Sequence, residues 1–108
     1  MDYKIKANSF FAFIAKKVLR ANGVAMVLGN TIHLSGVKPD EFMKDPKWVR
    51  HELVHIEQFK KYGFYKFLLL YFLESCKNGY YNNRFEVEAR KEAELVDMNT
   101  LKRDDRTK

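Results

Sequence analysis

Two of the three histidines in this chain stand four residues apart, in the run His51-Glu52-Leu53-Val54-His55. On a helix that spacing stacks both imidazoles on one face, about one turn or roughly 6 Å apart. Both can then reach a single zinc ion at about 2.0–2.1 Å. The glutamate beside the first histidine leans toward a water held by that ion and can accept its proton. The chemistry this pattern suits is hydrolysis by a metal-activated water. His51 and His55 are the expected ligands, Glu52 the expected general base and Zn2+ the expected cofactor.

The motif works only on a helix, and the flanking residues supply one. Asp45 is a good N-cap, and Pro46 suits the first helical position, where its missing N–H costs nothing. Lys60 and Lys61 oppose the helix dipole in the last turn, and Gly63 offers a stop. Trp48, Glu52, His55, Phe59 and Tyr62 form one stripe, and Val49, Leu53, Ile56 and Lys60 another. Arg50, Val54, Glu57 and Lys61 form the most polar strip. A helix that is apolar on two sides is expected to be central, with His51 and His55 facing a partly buried cleft.

Two histidines leave a catalytic zinc site incomplete, because it needs three protein ligands and an open position. No further histidine follows, so a carboxylate is expected, and Glu86, Glu88 and Glu92 are the candidates. Phe85, Ala89, Ala93 and Val96 define the inward stripe of the helix that carries them. At about 100° per residue, Glu86 sits about 65° from the centre of that stripe and Glu88 about 95° away on the other side. Glu86 is better placed than Glu88, and Glu92 lies as close to the stripe as Glu86. Asn83-x-x-Glu86 also reads as a capping box, in which the glutamate would only satisfy the helix start.

The remaining elements must position these groups. Ser9 to Ala21 reads as a helix capped by Ser9 and ended by Asn22-Gly23. Val24–Leu28 and Thr31–Ser35 read as a hairpin, with Gly29 at the first central position of a type II′ turn. A strand edge there could take up an extended peptide as a further strand. His33 is expected to be an exposed strand histidine. Residues 36–44 read as a connecting loop. Phe64 to Lys77 is apolar nearly all round and is expected to be a buried helix, with Cys76 as a core thiol. Arg84 to Asp97 reads as the last helix. The fold class is α+β: a single mostly helical domain over residues 1–100, with one small hairpin or sheet packed on the HExxH helix, and a disordered tail over 101–108.

Composition bounds the possibilities. With 46% apolar and 15% aromatic residues the chain can pack a core, which excludes wholesale disorder. A single cysteine excludes an internal disulfide and a zinc ribbon. The net charge of +6 is spread rather than clustered, so no specific nucleic-acid partner is expected. No secretory signal is recognisable, and the apolar run Phe67 to Leu73 is far shorter than the roughly 20 residues a span requires. The expectation is a cytoplasmic protein with a peptide or protein substrate and no membrane partner.

Taken together, His51-Glu52-x-x-His55, a spacer of about thirty residues and Glu86-x-x-Ala89 resemble the gluzincin pattern of zincin-like metallopeptidases. The run Tyr80 to Ala89 is similar to small bacterial zincin-like domains, and the resemblance covers roughly Val24 to Ala93. It implies a zincin-like fold in which His51, His55 and Glu86 bind zinc and Glu52 is the general base of peptide hydrolysis. Related peptidases often carry an aspartate four residues after the ligand glutamate, orienting a zinc histidine, and Arg90 stands there instead. That departure bears on activity, because such outer partners tune metal affinity by about 10–100-fold. A second oxyanion donor is usual in this chemistry, and Tyr62, Tyr80, Tyr81 and His33 are the candidates. The alternative function is a non-catalytic metal-binding or interaction module on the same scaffold.

Overall fold

Gly29, at φ +66°, and Asn30 close a tight turn between β2 (Val24–Leu28) and β3 (Thr31–Ser35). The antiparallel register runs from Val24 opposite Ser35 to Leu28 opposite Thr31. A third strand, β1 (Lys4–Lys6), pairs in parallel with the other side of β3, with Lys4 opposite Thr31 and Lys6 opposite His33. The sheet is mixed, in the order β1-β3-β2, so β3 is central and β2 is an edge. These features come from a computed structural model that describes the backbone of residues 3–107 and the side chains of residues 3–96.

Among the described residues, five helices complete an α+β fold: α1 (Phe10–Leu19), α2 (Pro39–Met43), α3 (Pro46–Tyr62), α4 (Phe64–Asn78) and α5 (Arg84–Thr107). The HExxH helix α3 starts and stops where its capping residues dictate. The Asp45 carboxylate accepts the Trp48 N–H at 3.1 Å, Pro46 opens the helix, and Gly63 closes it at φ +88°. Packing against α2, β2, α4 and α5 makes it the central element. The core gathers Val27, Ile32, Leu34, Phe42, Ile56, Phe59, Phe67 and Phe85 between the sheet and the helices.

Several expectations are corrected. Helix α1 stops at Leu19, because Arg20 turns left-handed (φ 54°) and its N–H reaches back to the Lys16 and Lys17 carbonyls. The 36–44 segment contains α2, opened by Pro39 and anchored by the fully buried Phe42. Val54, assigned to the polar strip, is buried, since helices and sheet cover α3 on several sides. Helix α4 is not buried: Phe67 is its one fully buried residue, and Cys76 is exposed. Phe67, Leu70 and Tyr71 meet the core, and no further layer among the described residues covers the rest. His33 is buried as well, because β1 and α1 flank its strand. Its Nδ1 shares a hydrogen bond with the Ser9 hydroxyl at 2.7 Å, while the Ser9 oxygen caps α1 by accepting the Ala12 N–H at 3.4 Å. Helix α5 runs beyond Asp97 to Thr107. The separate tail over 101–108 falls outside the residues whose side chains are described.

Candidate metal centre

Helix α3 presents His51 and His55 one turn apart, with ring centroids 5.0 Å from each other. Helix α5 packs against α3 and brings Glu86 to them from the other side. Glu86 Oε1 lies 3.0 Å from His51 Nε2 and 3.2 Å from His55 Nε2. The three donor atoms all fall within 4.8 Å of one another, so this group could hold a metal ion. Four-coordinate zinc with ligands at about 2.0–2.1 Å separates its donors by about 3.3 Å. The two measured contacts are close to that edge length, and the donor set of two imidazoles and a carboxylate suits the ion.

Of the three acids left open by helical phase, the structure places Glu86 at the histidines. Glu92 is engaged by Arg50 at 3.3 Å, in a network that also takes in Glu57. Glu88 is exposed and accepts from the Gln58 amide at 3.3 Å. The capping role is filled without Glu86. Asn83 Oδ1 accepts the Phe85 N–H at 2.8 Å, and its amide donates to the Tyr71 carbonyl and to Ser75 Oγ. Asn83 thus fixes the start of α5 against α4, and with it the position of Glu86.

Two supporting residues escaped the sequence reading. Gln58, one turn after His55, accepts the His55 Nδ1–H at 2.8 Å and donates to the Phe85 carbonyl at 3.1 Å. That bond fixes the ring so that Nε2 faces Glu86 Oε1, to which it donates its proton in the metal-free protein. Gln58 therefore orients the His55 ring. Arg90 turns away, donating to the Tyr81 carbonyl at 2.6 Å and stacking on the Tyr81 ring. The second residue is Tyr71 of α4, whose hydroxyl donates to Glu86 Oε2 at 2.5 Å and leaves Oε1 to the histidines. Gln58 had a signal available, since a position three after His55 shares its helix face. Tyr71 had none.

Burial and charge set the protonation of the site. Burial would raise the Glu86 carboxyl, but hydrogen bonds from His51, His55 and Tyr71 hold it well below the usual carboxylate range. Burial lowers His55, yet the Glu86 hydrogen bond and charge outweigh it and push it up to about 9. Glu52 is pushed up to about 8 by burial and by Glu86, against the pull of His55. Among the described residues, Glu52 Oε2 is the one buried side-chain oxygen or nitrogen without a hydrogen-bond partner. An orphaned carboxylate oxygen beside three convergent donors fits a site built around a cation and its water.

Glu52 also sits where two cavities meet. One, of about 460 Å³, is bordered by His51, Glu52, Trp48, Tyr80 and Arg90. The other, of about 510 Å³, follows the whole of β2 and reaches Glu52, His55 and Glu86. Of the four candidate oxyanion donors, only Tyr80 lines both cavities. Tyr62 packs on Phe67 and Phe85, and Tyr81 is exposed under Arg90. His33 is held by Ser9.

Comparison with protein-family models, with characterised proteins and with solved structures finds no match for this chain. Its function has to be argued from the geometry of the site.

Proposed function

We propose that this chain is a zinc-dependent metallopeptidase of zincin-like, gluzincin type, with His51, His55 and Glu86 as ligands and Glu52 as general base. The observation that carries the reading is the convergence of Glu86 Oε1 on both Nε2 atoms, with the unpartnered Glu52 oxygen beside them. A divalent cation bound there supplies Lewis acidity, polarising a peptide carbonyl and bringing a water's pKa down to about 7. The residues of the chain would do the rest. The outer edge of β2 offers backbone groups to an extended peptide, which would bring its scissile bond over Glu52. Glu52 would accept the water's proton as the oxygen bonds to the carbonyl carbon. It would then hand that proton to the amide nitrogen as the C–N bond breaks. Tyr80 would donate a hydrogen bond to the developing oxyanion. Gln58 and Tyr71 would hold His55 and Glu86 in register.

The test combines metal analysis with cleavage of an unfolded protein substrate. The parent should hold about one zinc per chain and cleave. Glu52→Gln should keep the metal and the fold but lose turnover, His55→Ala and Glu86→Ala should lose the metal, and Glu88→Ala should keep it. Turnover by Glu52→Gln would refute the general-base assignment. Stoichiometric zinc with no cleavage of any unfolded chain would leave the metal-binding module as the function. Cobalt or manganese in place of zinc would revise the cofactor.

A further inference from the structure

The outward faces of two helices are apolar where water would be expected to meet polar groups. On α4, Phe67 and Tyr71 face the core. The opposite face, at helical spacing, is Tyr65, Leu69, Phe72 and Cys76, and it carries no charge. Tyr65 is 83% exposed and Phe72 62%. Helix α1 repeats the inversion. It buries only Ala12 fully, and turns Phe11, Ile14 and Val18 outward, the last 74% exposed. Phe11, Ile14 and Val18 of α1 and Leu68 of α4 line the same β2 cavity, so the two helices supply lips of one apolar groove.

The charges flanking these lips are mostly basic, with Glu52 and Glu86 lining the groove as buried residues. Residues 3–39 hold six lysines and arginines and no acid, and residues 58–73 hold three lysines and no acid. Lys16 and Lys17 lie along the apolar ridge, each with its ammonium 5.4 Å from the Phe13 ring. Lys66 flanks the exposed face of α4, and Lys60 and Lys61 precede it.

We propose that α1 and α4 dock the protein, lying in plane, on the surface of an anionic lipid bilayer. An amphipathic helix does this by sinking its apolar face to the acyl boundary while its basic residues reach back to the headgroups. Tyr65 suits that interface. A 15-residue helix is about 22 Å long, short of the roughly 30 Å hydrocarbon core. No described helix is long and apolar enough to cross a membrane. A second copy of this chain fits less well, because it would bring one basic rim against another. An anionic surface satisfies the apolar lips and the basic rim together. This docking needs no metal, although the groove between the lips is the cavity that reaches Glu52, His55 and Glu86, and it departs from the expectation of no membrane partner.

Sedimentation of the full chain with vesicles tests it. The chain should bind mixed phosphatidylcholine–phosphatidylglycerol vesicles, bind pure phosphatidylcholine far less, and detach in high salt. Each basic residue near such a surface contributes about fivefold in affinity, so Lys16→Ala/Lys17→Ala should weaken binding by about 25-fold. Leu69→Glu/Phe72→Glu should abolish binding, with melting temperature and metal content unchanged, because both side chains are exposed. Failure to bind the mixed vesicles overturns the proposal. So does undiminished binding by the double glutamate variant. A parent that sediments as a dimer, and that the same variant converts to monomer, would assign the face to self-association instead.

Discussion

Replacing Gln58 should separate metal affinity from stability in a way that depends on the substituent. The buried Gln58 amide makes three bonds: it accepts from His55 Nδ1 at 2.8 Å and donates to the Phe85 carbonyl at 3.1 Å and to Glu88 at 3.3 Å. In Gln58→Leu all three go. His55 loses the acceptor that fixes its tautomer, and affinity for zinc should fall by about 10–100-fold. The buried His55 N–H left without a partner, with the lost second bond to the Phe85 carbonyl, should also cost about 1–3 kcal/mol of stability. Gln58→Glu keeps an acceptor for His55, now a charged and stronger one. Its zinc affinity should stay at or above that of the parent. It loses both donor bonds, however, and sets a second carboxylate beside Glu88, so stability should fall as it does in Gln58→Leu. Competition with a chromophoric chelator measures the affinity, and urea denaturation of the metal-free protein measures the stability. If Gln58→Leu binds zinc within about twofold of the parent, or Gln58→Glu binds as poorly as Gln58→Leu, Gln58 does not orient the ligand.

Three further outcomes follow from the same geometry. With His55 raised to about 9 in the metal-free protein, zinc must displace its proton at neutral pH. Calorimetry at pH 7 in buffers of different ionisation enthalpy should show release of about one proton or more, and release near zero would refute the protonated state. Glu52 is raised from 4.5 to about 8, so its protonated form favours the fold. That contribution is complete below pH 4.5 and is lost as pH rises through 8. Glu52→Gln should therefore stabilise the metal-free protein by on the order of 3 kcal/mol at pH 7, and by little near pH 4. Denaturation in the presence of a chelator checks this, and equal stabilisation at both pH values would count against it. Ser9→Ala removes both the α1 cap and the partner of His33 Nδ1. It should cost about 1–3 kcal/mol in the unfolding free energy, and a neutral effect would show that the buried contact adds nothing.

What could be read from the chain follows the range of the interactions. Asp45, Pro46 and Gly63 act within one turn of their own helix, and Gly29 acts within its own hairpin, so the ends of α3 and the hairpin were legible. Glu86 was reachable because helical phase is also local, although phase left Glu92 equally possible. The Arg50–Glu92 bridge that removes Glu92 joins two helices 42 residues apart, and no spacing reveals it. Tyr71 is hidden for the same reason. Strand β1 is three residues with one apolar side chain, too short to show a period. The error over α4 is of another kind. An apolar helix is buried only if something covers it, and its sequence contains no information about whether a covering layer exists. Cys76 was misplaced along with it.

The arrangement around Glu86 explains how so small a domain can hold three donors in place. Both carboxylate oxygens are assigned: Oε2 is held by the Tyr71 hydroxyl, and Oε1 is shared by the two imidazoles. Glu86 therefore offers one atom, not two, to a cation, and the donor set closes at three. The Glu52 carboxyl borders the same cavity as His55 and Glu86, where it would meet a water brought in by a bound cation. In the metal-free protein the proton on His55 compensates the Glu86 charge, while burial keeps Glu52 neutral. A divalent cation takes over that compensation. It would also lower the Glu52 carboxyl by its charge, returning it to the ionised form that a general base requires. On the proposed mechanism, Glu52 would become competent only when the site is filled.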